Sequence, residues 1–424
     1  MHVSPTLLAL TFAGLLIAST LVRLWLATRQ MRHVIRHRSQ VPAAYQSTID
    51  AAAHQKAADY TVAKTRLSVI DIGLQAALLL GWTLLGGLDA LNKTLLDVMQ
   101  PGLMQQVALV VVFMLLGSLF ELPMSWYQTF KLEEHFGFNR TTLRDWVFDG
   151  LKGAAVGAVI GIPILATVLW LMASTGTTWW LWAWCVFMGF NLLLMVVYPT
   201  LIAPLFNTFK PLADEALATR VNALMARCGF RAKGFFVMDG SRRSAHANAY
   251  FTGFGAAKRV VFYDTLLNQL SAPEVEAVLA HELGHFHHKH IVKRVLLMAL
   301  TSLAGLAALG WLSGQAWFYV GLGVEPSLQN GNEALALLLF MMAMPVATFF
   351  LSPLAAASSR RHEFEADAFA ASHANAQDLV AALLKLYRDN AATLTPDPWY
   401  VWFYYSHPPA ADRLTRLTAA GGAA

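Results

Sequence analysis

Long apolar runs constrain the fold of this chain more than any other feature. Seven stretches of about 20 residues are almost free of charge, and that is the length an α-helix needs to cross a bilayer. They lie at about 5–27, 67–88, 104–125, 153–174, 180–205, 291–316 and 334–356. Hydrophobic residues make up 56% of the 424 positions and charged residues only 13%, against roughly a quarter in soluble proteins. The sequence therefore predicts a mainly α membrane protein with seven transmembrane helices.

The basic residues predict how these helices are oriented. Eleven Lys and Arg residues lie in the loops after the first and third runs, whereas the loops after the second, fourth and sixth runs contain only Lys93. Short loops rich in Lys and Arg face the cytoplasm. We therefore expect the N-terminus outside and both large polar regions, 206–290 and 357–424, on the cytoplasmic side. The formal net charge of +5 reflects the Lys and Arg residues that orient the membrane helices. We therefore expect no nucleic-acid partner.

The polar regions predict a second structural unit. We divide the chain into a membrane region at 1–205, with five helices and basic cytoplasmic loops, and a domain at 206–424 that the helices at about 291–316 and 334–356 interrupt. In this domain KGFFVMDG, AHANAYFTGF and AKRVVFYDTLL have the composition of short strands, with turn signals at Asp239-Gly240 and Gly253–Gly255. A small antiparallel sheet beside helices is the expected cytoplasmic core.

A metal-binding pattern begins in the segment SAPEVEAVLAHELGHFHHKHIVKRVLL. Ser271 and Glu274 fit a helix-capping box, so a helix should begin here, and it could run on into the sixth apolar run. His281 and His285 are four residues apart and project from one face of that helix, with Glu282 beside them. This is the H-E-x-x-H pattern, in which two imidazoles suit Zn²⁺ and the carboxylate can accept a proton from water.

Catalytic zinc needs a third protein ligand, and this helix cannot supply it. The longer motif with a third His fails, because His288 and Ile291 stand where Gly and His are required. Three His on one straight helix cannot converge on one tetrahedral ion. The two cysteines of the chain are too few for a Cys zinc site. The missing ligand must therefore come from another segment.

The second polar region opens with SSRRHEFEADAFA and offers carboxylates at helical spacing. Glu363 and Asp367 are four residues apart, so one can bind the metal while the other accepts the distal N–H of a metal-bound His. We predict Glu363 as the third ligand and Asp367 as its supporting neighbour, with Glu365 and His362 as fallback ligands. Two plainer readings stay open at this point, namely a His cluster at the water boundary and a charged helix exit that anchors the seventh span.

Several motifs together resemble the type I CAAX prenyl protease family of integral-membrane zinc endopeptidases. The resemblance is carried by the segments AVLAHELGH, SRRHEFEADAFA, YYSHPPAADRL, GSRRSAHANAYFTGF and KRVVFYDTL, and also by EEHFGFNRTTLRDW and APLFNTFKPL. It covers nearly the whole chain. A shorter heat-shock membrane protease shares the zinc motif but has fewer spans, and it fits this chain less well.

The resemblance implies roles for the motif residues. One zinc ion per chain would be held by His281, His285 and Glu363, with Glu282 as the catalytic glutamate. Asp367 matches the aspartate of the family's E-x-x-x-D pair, which is sometimes assigned as a catalytic proton donor. We interpret it instead as the group that orients a zinc-bound His.

Further residues match family positions around the substrate. His407, in the S-H-P-P motif, and Arg413 match groups placed near the substrate and the developing oxyanion. Asn248, followed by Ala249 and Tyr250, matches an edge strand against which the substrate backbone is thought to lie. The resemblance also implies a zincin-like α+β domain on the cytoplasmic side and a water-filled chamber enclosed by the spans.

Polar residues within the apolar runs are consistent with such a chamber. Asp71 and Gln75 lie in the second run, Glu121 in the third and Asn191 in the fifth. Polar groups at membrane depth normally face protein or water rather than lipid. A position near the cytoplasmic interface would equally accommodate Asp71 and Glu121.

The sequence thus predicts a membrane-embedded zinc metalloendopeptidase that works as a monomer in the lipid bilayer. Its substrate would be a peptide or protein, and by resemblance a prenylated C-terminal CAAX tail that loses its last three residues. The alternatives are a broad quality-control protease for membrane proteins and, from another class, a non-catalytic zinc-binding channel or scaffold. The Ala-rich composition and the lack of a recognisable endoplasmic-reticulum retrieval signal favour the bacterial inner membrane.

Overall fold

The computed structural model describes residues 4–230, 234–252, 259–327 and 331–421. The helices are α1 (Pro5–Arg36), α2 (Ala51–Trp82), α3 (Gly87–Val98), α4 (Leu103–Tyr127), α5 (Leu143–Ser174), α6 (Trp179–Val197), α7 (Ala203–Phe206), α8 (Glu215–Arg227), α9 (Asp264–Gln269), α10 (Ala272–His287), α11 (His290–Leu312), α12 (Ala316–Gly321), α13 (Glu333–Thr348), α14 (Ser352–His373), α15 (Ala376–Asp389), α16 (Pro398–Tyr404) and α17 (Ala410–Gly421). The strands are β1 (Phe209–Pro211), β2 (Gly234–Met238), β3 (Ala249–Thr252) and β4 (Arg259–Tyr263).

Six helical segments among the described residues are long and apolar enough to cross a bilayer, and the bent pair α2 and α3 makes a seventh candidate. The six are Pro5–Arg36, Leu103–Glu133, Leu143–Ser174, Gly176–Phe206, His290–Leu312 and Glu333–His373. Each overlaps one of the apolar runs. The expected mainly α membrane architecture is therefore confirmed.

The second apolar run is not one straight helix. We expected a span at 67–88, but α2 ends at Trp82, α3 begins at Gly87, and the two helices meet at 52°. Gly86 between them has φ of 77°, a left-handed conformation that glycine adopts without steric cost. The bend therefore occurs at the Gly86-Gly87 pair.

The helix that carries the H-E-x-x-H motif is also shorter than the sequence allows. Its capping box is present, with the Ser271 backbone N–H donating to Glu274 Oε2 at 2.7 Å. The helix does not run into the sixth span, however, because Lys289 has φ of 55° and interrupts it. A left-handed residue cannot continue a right-handed helix, so α10 ends at His287 and α11 begins afresh at His290.

The four strands form one sheet with the order β1-β2-β4-β3 in the described ranges. The expectation of an antiparallel sheet is wrong in one pairing, because β2 and β4 run parallel, with Phe236 opposite Val261. Pairs β1–β2 and β3–β4 are antiparallel. The connection at 239–258 is long enough for the crossover that a parallel pair needs, and β3 pairs with the outer edge of β4. The turn expected at Gly253–Gly255 lies outside the described residues.

Helices α10 and α14 pack unusually closely at the centre of this domain. A Cβ atom placed on Gly284 would lie 2.8 Å from the Cα of Ala366. Buried side chains from α8, α10, α15, α17 and the sheet form one hydrophobic core, including Leu224, Phe262 and Leu283. The missing side chain at 284 thus lets the helix with the two His approach the helix with the two carboxylates.

The C-terminal part of the domain is attached to the first span. Arg29 of α1 donates to Asp397 through Nε, at 3.3 Å, and through Nη2, at 3.0 Å. Gln30 Oε1 accepts a hydrogen bond from the Asp397 backbone N–H at 2.7 Å. Asp397 is buried and caps α16. These contacts fix the segment before His407 relative to the membrane helices.

Candidate metal centre

His281 and His285 of α10 face Glu363 of α14. His281 Nε2 lies 3.4 Å from Glu363 Oε2, and His285 Nε2 lies 3.4 Å from Glu363 Oε1. All three ligand atoms lie within 4.8 Å of one another. The structure therefore brings together the three residues that the sequence selects, although about eighty positions separate α10 from Glu363 along the chain.

The geometry of these three residues fits a tetrahedral metal ion. Zinc bonds of roughly 2.0–2.1 Å at tetrahedral angles separate two ligand atoms by about 3.3 Å, close to both distances here. Glu363 is buried, and its Oε2 has no hydrogen-bond partner. A buried carboxylate oxygen without a partner costs free energy unless a cation compensates it. Two imidazole nitrogens and one carboxylate oxygen are a donor set that zinc prefers.

Asp367 and Arg413 support His281 from behind. Asp367 Oδ1 accepts a hydrogen bond from His281 Nδ1 at 2.8 Å, which leaves Nε2 free to face Glu363. Arg413 donates to both oxygens of Asp367, through Nε at 2.8 Å and Nη2 at 2.6 Å. Asp367 and Arg413 are 3% and 6% exposed, so this is a buried, bidentate ion pair. The resemblance placed Arg413 near the substrate. In the structure its side chain instead pairs with Asp367.

The two His differ in their electrostatic surroundings. Burial alone would lower the pKa of His281, but the hydrogen bond to Asp367 and the nearby Glu363 carboxylate outweigh it and raise the pKa to about 9. Burial, together with the neighbouring His281, lowers the pKa of His285 to about 3. Burial also raises the pKa of Glu282, which brings this carboxylate closer to the range of a base that works at neutral pH.

The fallback ligands lie in a neighbouring group rather than beside His281. His362 and Glu365 lie with His290, and the ligand atoms of these three residues are also within 4.8 Å of one another. His290 Nε2 lies 2.9 Å from Glu365 Oε2, and the rings of His290 and His362 stack at 4.0 Å. Nothing in the sequence singles out His290 from its neighbours His287 and His288.

His407 lies on the exposed side of the three candidate ligands. Its Nε2 is 3.6 Å from Glu363 Oε1, and its Nδ1 is 3.0 Å from the hydroxyl of Ser406. The side chain is 65% exposed. His407 is therefore close enough to the site to contact a bound substrate, whereas the buried Arg413 lies on the opposite side of His281.

The expected substrate strand is an edge of the sheet. Strand β3 pairs with β4, with Ala249 opposite Phe262 and Tyr250 opposite Val261, and it ends the strand order in the described part of the sheet. Asn248 precedes the strand and is exposed, and its Oδ1 accepts a hydrogen bond from the Ala249 backbone N–H at 2.8 Å. An edge strand has backbone groups available for a further strand.

Separate polar cavities lie between the spans and beside His407. Asp71, Gln75 and Glu121 line two cavities of about 530 and 430 Å³ between the helices. The first also contains Lys64 in its wall, and Lys64 in turn lines a cavity of about 490 Å³ whose wall includes His407. Asn191 instead donates a hydrogen bond to the Phe187 carbonyl at 2.8 Å.

Two family models match this chain. The one described as CAAX prenyl protease N-terminal, five membrane helices, matches residues 30–208. The one described as peptidase family M48 matches residues 211–420, which contain every candidate ligand. Together they account for nearly the whole sequence.

Individual relatives match over almost their full length. CAAX prenyl protease 1 of Saccharomyces cerevisiae is 33% identical over 431 residues, covering 96% of this chain and 94% of that protein. The CAAX prenyl protease 1 homolog of Homo sapiens is 30% identical over 459 residues, covering 96% and 95%. The crystal structure of S. mikatae Ste24p is similar at a TM-score of 0.90 and 30% identity, covering 97% of this chain and 99% of that one. These relatives are eukaryotic and give the bacterial inner-membrane expectation no support.

Proposed function

This chain belongs to the CAAX prenyl proteases of peptidase family M48, and we propose that it removes the C-terminal tripeptide of CAAX-type substrates by zinc-dependent hydrolysis. It is an integral membrane metalloprotease with several apolar helices. One observation carries the proposal, namely the convergence of His281, His285 and Glu363 on one point next to Glu282. The yeast relative, whose name is CAAX prenyl protease 1, supplies the substrate class.

We propose one zinc ion per chain, with His281 Nε2, His285 Nε2 and a Glu363 oxygen as its ligands. Three protein ligands leave the open position that distinguishes catalytic from structural zinc. When bound, the zinc supplies Lewis acidity that polarises the scissile carbonyl and the attacking water. The unpartnered Glu363 Oε2 and the two distances of 3.4 Å support this assignment.

The side chains around the ligands perform the proton transfers. Glu282 accepts a proton from the attacking water and later delivers it to the leaving amine nitrogen. Its raised pKa favours this exchange near neutral pH. His407 donates a hydrogen bond from Nε2 to the developing oxyanion, a contribution of about 3 kcal/mol per donor in well-studied proteases. Its exposure and its position beside Glu363 support this role.

Asp367 orients His281 and is not itself a proton donor in this proposal. Its Oδ1 accepts the His281 Nδ1–H, and its second oxygen is occupied by Arg413. A carboxylate that accepts from a cation on both oxygens resists protonation. Arg413 therefore acts through Asp367 on His281, rather than by contacting the substrate.

The substrate backbone adds to the exposed edge of β3, beside Asn248, Ala249 and Tyr250. In strand addition the backbone hydrogen bonds supply affinity, and side-chain pockets supply selectivity. Such binding alone accepts many sequences, so the narrower CAAX preference needs a further determinant. The cavity next to His407, about 490 Å³ in volume, is large enough for a short C-terminal segment.

The proposal includes an arrangement in the membrane. The N-terminus lies outside and the catalytic domain in the cytoplasm, as the basic loops favour. The membrane region at 1–205 and the protease domain at 206–424 divide the chain, and the separate family matches at 30–208 and 211–420 support this division. A single chain supplies every residue used above, so the protein acts as a monomer in the lipid bilayer. Residence in a bacterial inner membrane stays a prediction from composition.

Mass spectrometry of peptides cut by the purified protein tests the substrate. A farnesylated CAAX peptide and its unmodified counterpart would be compared, with His281→Ala as the control for contaminating proteases. We expect the farnesylated peptide to lose its last three residues and to be cut faster than the unmodified one. Equal rates on both peptides would replace CAAX specificity with the broader quality-control role. Equal cleavage by His281→Ala would refute the proposed function.

A further inference from the structure

His290 lies between the candidate ligand His285 and the carboxylate of Glu365. It is 1% exposed, and its ring lies 5.1 Å from the ring of His285, measured between centroids. Its Nδ1 lies 2.9 Å from His285 Nδ1, and its Nε2 lies 2.9 Å from Glu365 Oε2. Glu365 Oε1 accepts a hydrogen bond from Arg361 Nε at 3.0 Å. These four side chains form one continuous series of hydrogen bonds.

We propose that His290 is a positioning residue that holds His285 in the tautomer able to bind the metal. The assignment uses the proposed function in one respect only, since it takes His281, His285 and Glu363 as the metal ligands. His290 would orient His285 in the same way as Asp367 orients His281. The two ligands would then be oriented by different groups, a carboxylate for His281 and a neutral imidazole for His285.

The protons of this series can be assigned from its acceptors. A neutral His285 that binds metal through Nε2 carries its proton on Nδ1 and must donate it. His290 Nδ1 is the atom in reach, so it accepts, and the proton of His290 then lies on Nε2. Nε2–H donates to Glu365, which as a carboxylate can only accept. Each bond in the series thus has one donor and one acceptor.

The opposite assignment fails at both ends. If His290 donated from Nδ1, its unprotonated Nε2 would face the Glu365 carboxylate at 2.9 Å, placing two acceptors against each other. His285 would then carry its proton on Nε2, the atom whose lone pair has to be free to bind the metal. Glu365 and Arg361 therefore select the tautomer of His290, and His290 selects that of His285. Residues behind metal-bound His commonly fix the tautomer in this way.

The interruption between α10 and α11 is what brings His290 to His285. Residues five apart on a straight helix do not face each other. Lys289, at φ of 55°, interrupts the helix between His285 and His290, and its left-handed conformation costs of order 1 kcal/mol in a residue with a Cβ atom. Unfavourable backbone conformations that persist beside a functional site commonly serve to place a side chain.

A second metal ion among His290, His362 and Glu365 would be a different explanation of the same cluster. The rings of His290 and His362 stack nearly parallel, with planes at 17° and centroids 4.0 Å apart. The lone pairs of imidazole nitrogens lie in the ring planes, so two stacked rings direct them side by side instead of toward a common point. The geometry therefore favours hydrogen bonding by His290 over a second ion.

Zinc affinity of full-length, detergent-purified variants tests the assignment, measured by competition with a chromophoric chelator. His290→Leu removes the acceptor, and we expect zinc affinity to fall about 10- to 100-fold. His290→Asn restores an acceptor, because its Oδ1 takes the place of the imidazole Nδ1, so we expect affinity within about threefold of wild type. His362→Leu is the matched control. It alters the ring stacked on His290 but no bond in the series, and its affinity should equal that of wild type.

Other results for zinc affinity or zinc content would contradict the proposed role of His290. Unchanged zinc affinity in His290→Leu would overturn the proposal, and so would equal losses in His290→Leu and His290→Asn, which would indicate only a packing role. Two zinc ions per wild-type chain and one in His362→Leu would establish the second metal site instead. Thermal unfolding identifies variants that fail to fold. Because affinity is measured without substrate, failure of peptide cleavage alone would refute the proposed function and leave this assignment standing.

Discussion

Gly284 of α10 lies so close to Ala366 of α14 that a Cβ atom at position 284 would be 2.8 Å from the Ala366 Cα and 3.0 Å from its carbonyl oxygen. Both neighbours are backbone atoms, which cannot rotate away as a side chain could. Gly284 lies between the candidate ligands His281 and His285 on α10, and Ala366 lies between Glu363 and Asp367 on α14. The spacing of these two helices therefore sets the distance between the imidazoles and the carboxylates.

Gly284→Ala should separate the two helices and weaken metal binding. The added methyl group forces α14 away, which lengthens the distances from Glu363 to His281 and His285. We expect a loss of about 1–3 kcal/mol in stability from overpacking and a fall in zinc affinity of at least about tenfold. Thermal unfolding and chelator competition measure the two effects.

Gly157→Ala in α5 is the matched control for that substitution. No atom lies within 4 Å of a Cβ placed on Gly157. The same chemical change should therefore leave zinc affinity unaltered, and it should stabilise the helix slightly, because alanine has the higher helix propensity. Equal zinc affinity in wild type and Gly284→Ala would show that the helix spacing does not control the site.

Arg413→Leu should destabilise the protein more than removal of both members of its ion pair. The single substitution leaves the buried Asp367 carboxylate without its bidentate cation, a loss of about 3–5 kcal/mol. In Asp367→Asn/Arg413→Leu neither charge of the pair remains, so part of that stability should return. Thermal unfolding of the single and double variants makes the comparison. A double variant less stable than Arg413→Leu would contradict this view of the pair.

Lys289 offers a test of backbone strain. Its φ of 55° is favourable for glycine and unfavourable for a β-branched residue. We expect Lys289→Gly to unfold within about 1 kcal/mol of wild type and to keep its zinc, while Lys289→Val should lose more than about 1 kcal/mol. Equal stability of the glycine and valine variants would mean that position 289 does not hold this conformation.

Glu274 should stabilise the folded protein by an amount that depends on pH. Burial would raise its pKa, but Lys385 and the Ser271 backbone N–H outweigh burial and hold the pKa below its ordinary value of 4.5. A pKa that is lower in the folded than in the unfolded chain contributes stability above the unfolded value, and that stability is lost as the pH falls through the folded value. The difference in melting temperature between wild type and Glu274→Gln should therefore be largest near neutral pH and shrink below about pH 4.5. A difference that grows with acidification would contradict the sign.

The sequence predicted those parts of the site that depend on local spacing. His281, His285 and Glu282 follow from the H-E-x-x-H pattern, in which four residues make about one helical turn and so place both His on one face. Glu363 follows from a chemical requirement, namely a third ligand in a second polar segment at the same membrane face. The apolar runs likewise predicted the membrane helices, since bilayer thickness fixes their length.

Features set by the backbone conformation of single residues were not predictable in the same way. Lys289 carries no glycine or proline signal, so nothing in HHKH indicates that the helix stops and that His290 turns back toward His285. Composition identified the strands β2 and β4, but the alternation of side chains does not depend on strand direction, so their parallel pairing was missed. The bend at Gly86-Gly87 had a visible signal in its two glycines, which the apolar run obscured.

The most direct test of the account compares wild type with Glu282→Gln, the variant that removes the proposed base and leaves all three candidate ligands in place. Zinc content and cleavage of a CAAX peptide would be measured on the same purified samples. We predict about one zinc per chain in both proteins and cleavage by the wild type, with a loss of at least about 100-fold in the variant. Equal proteolysis by the two proteins, or a wild type that holds no stoichiometric zinc, would contradict the account.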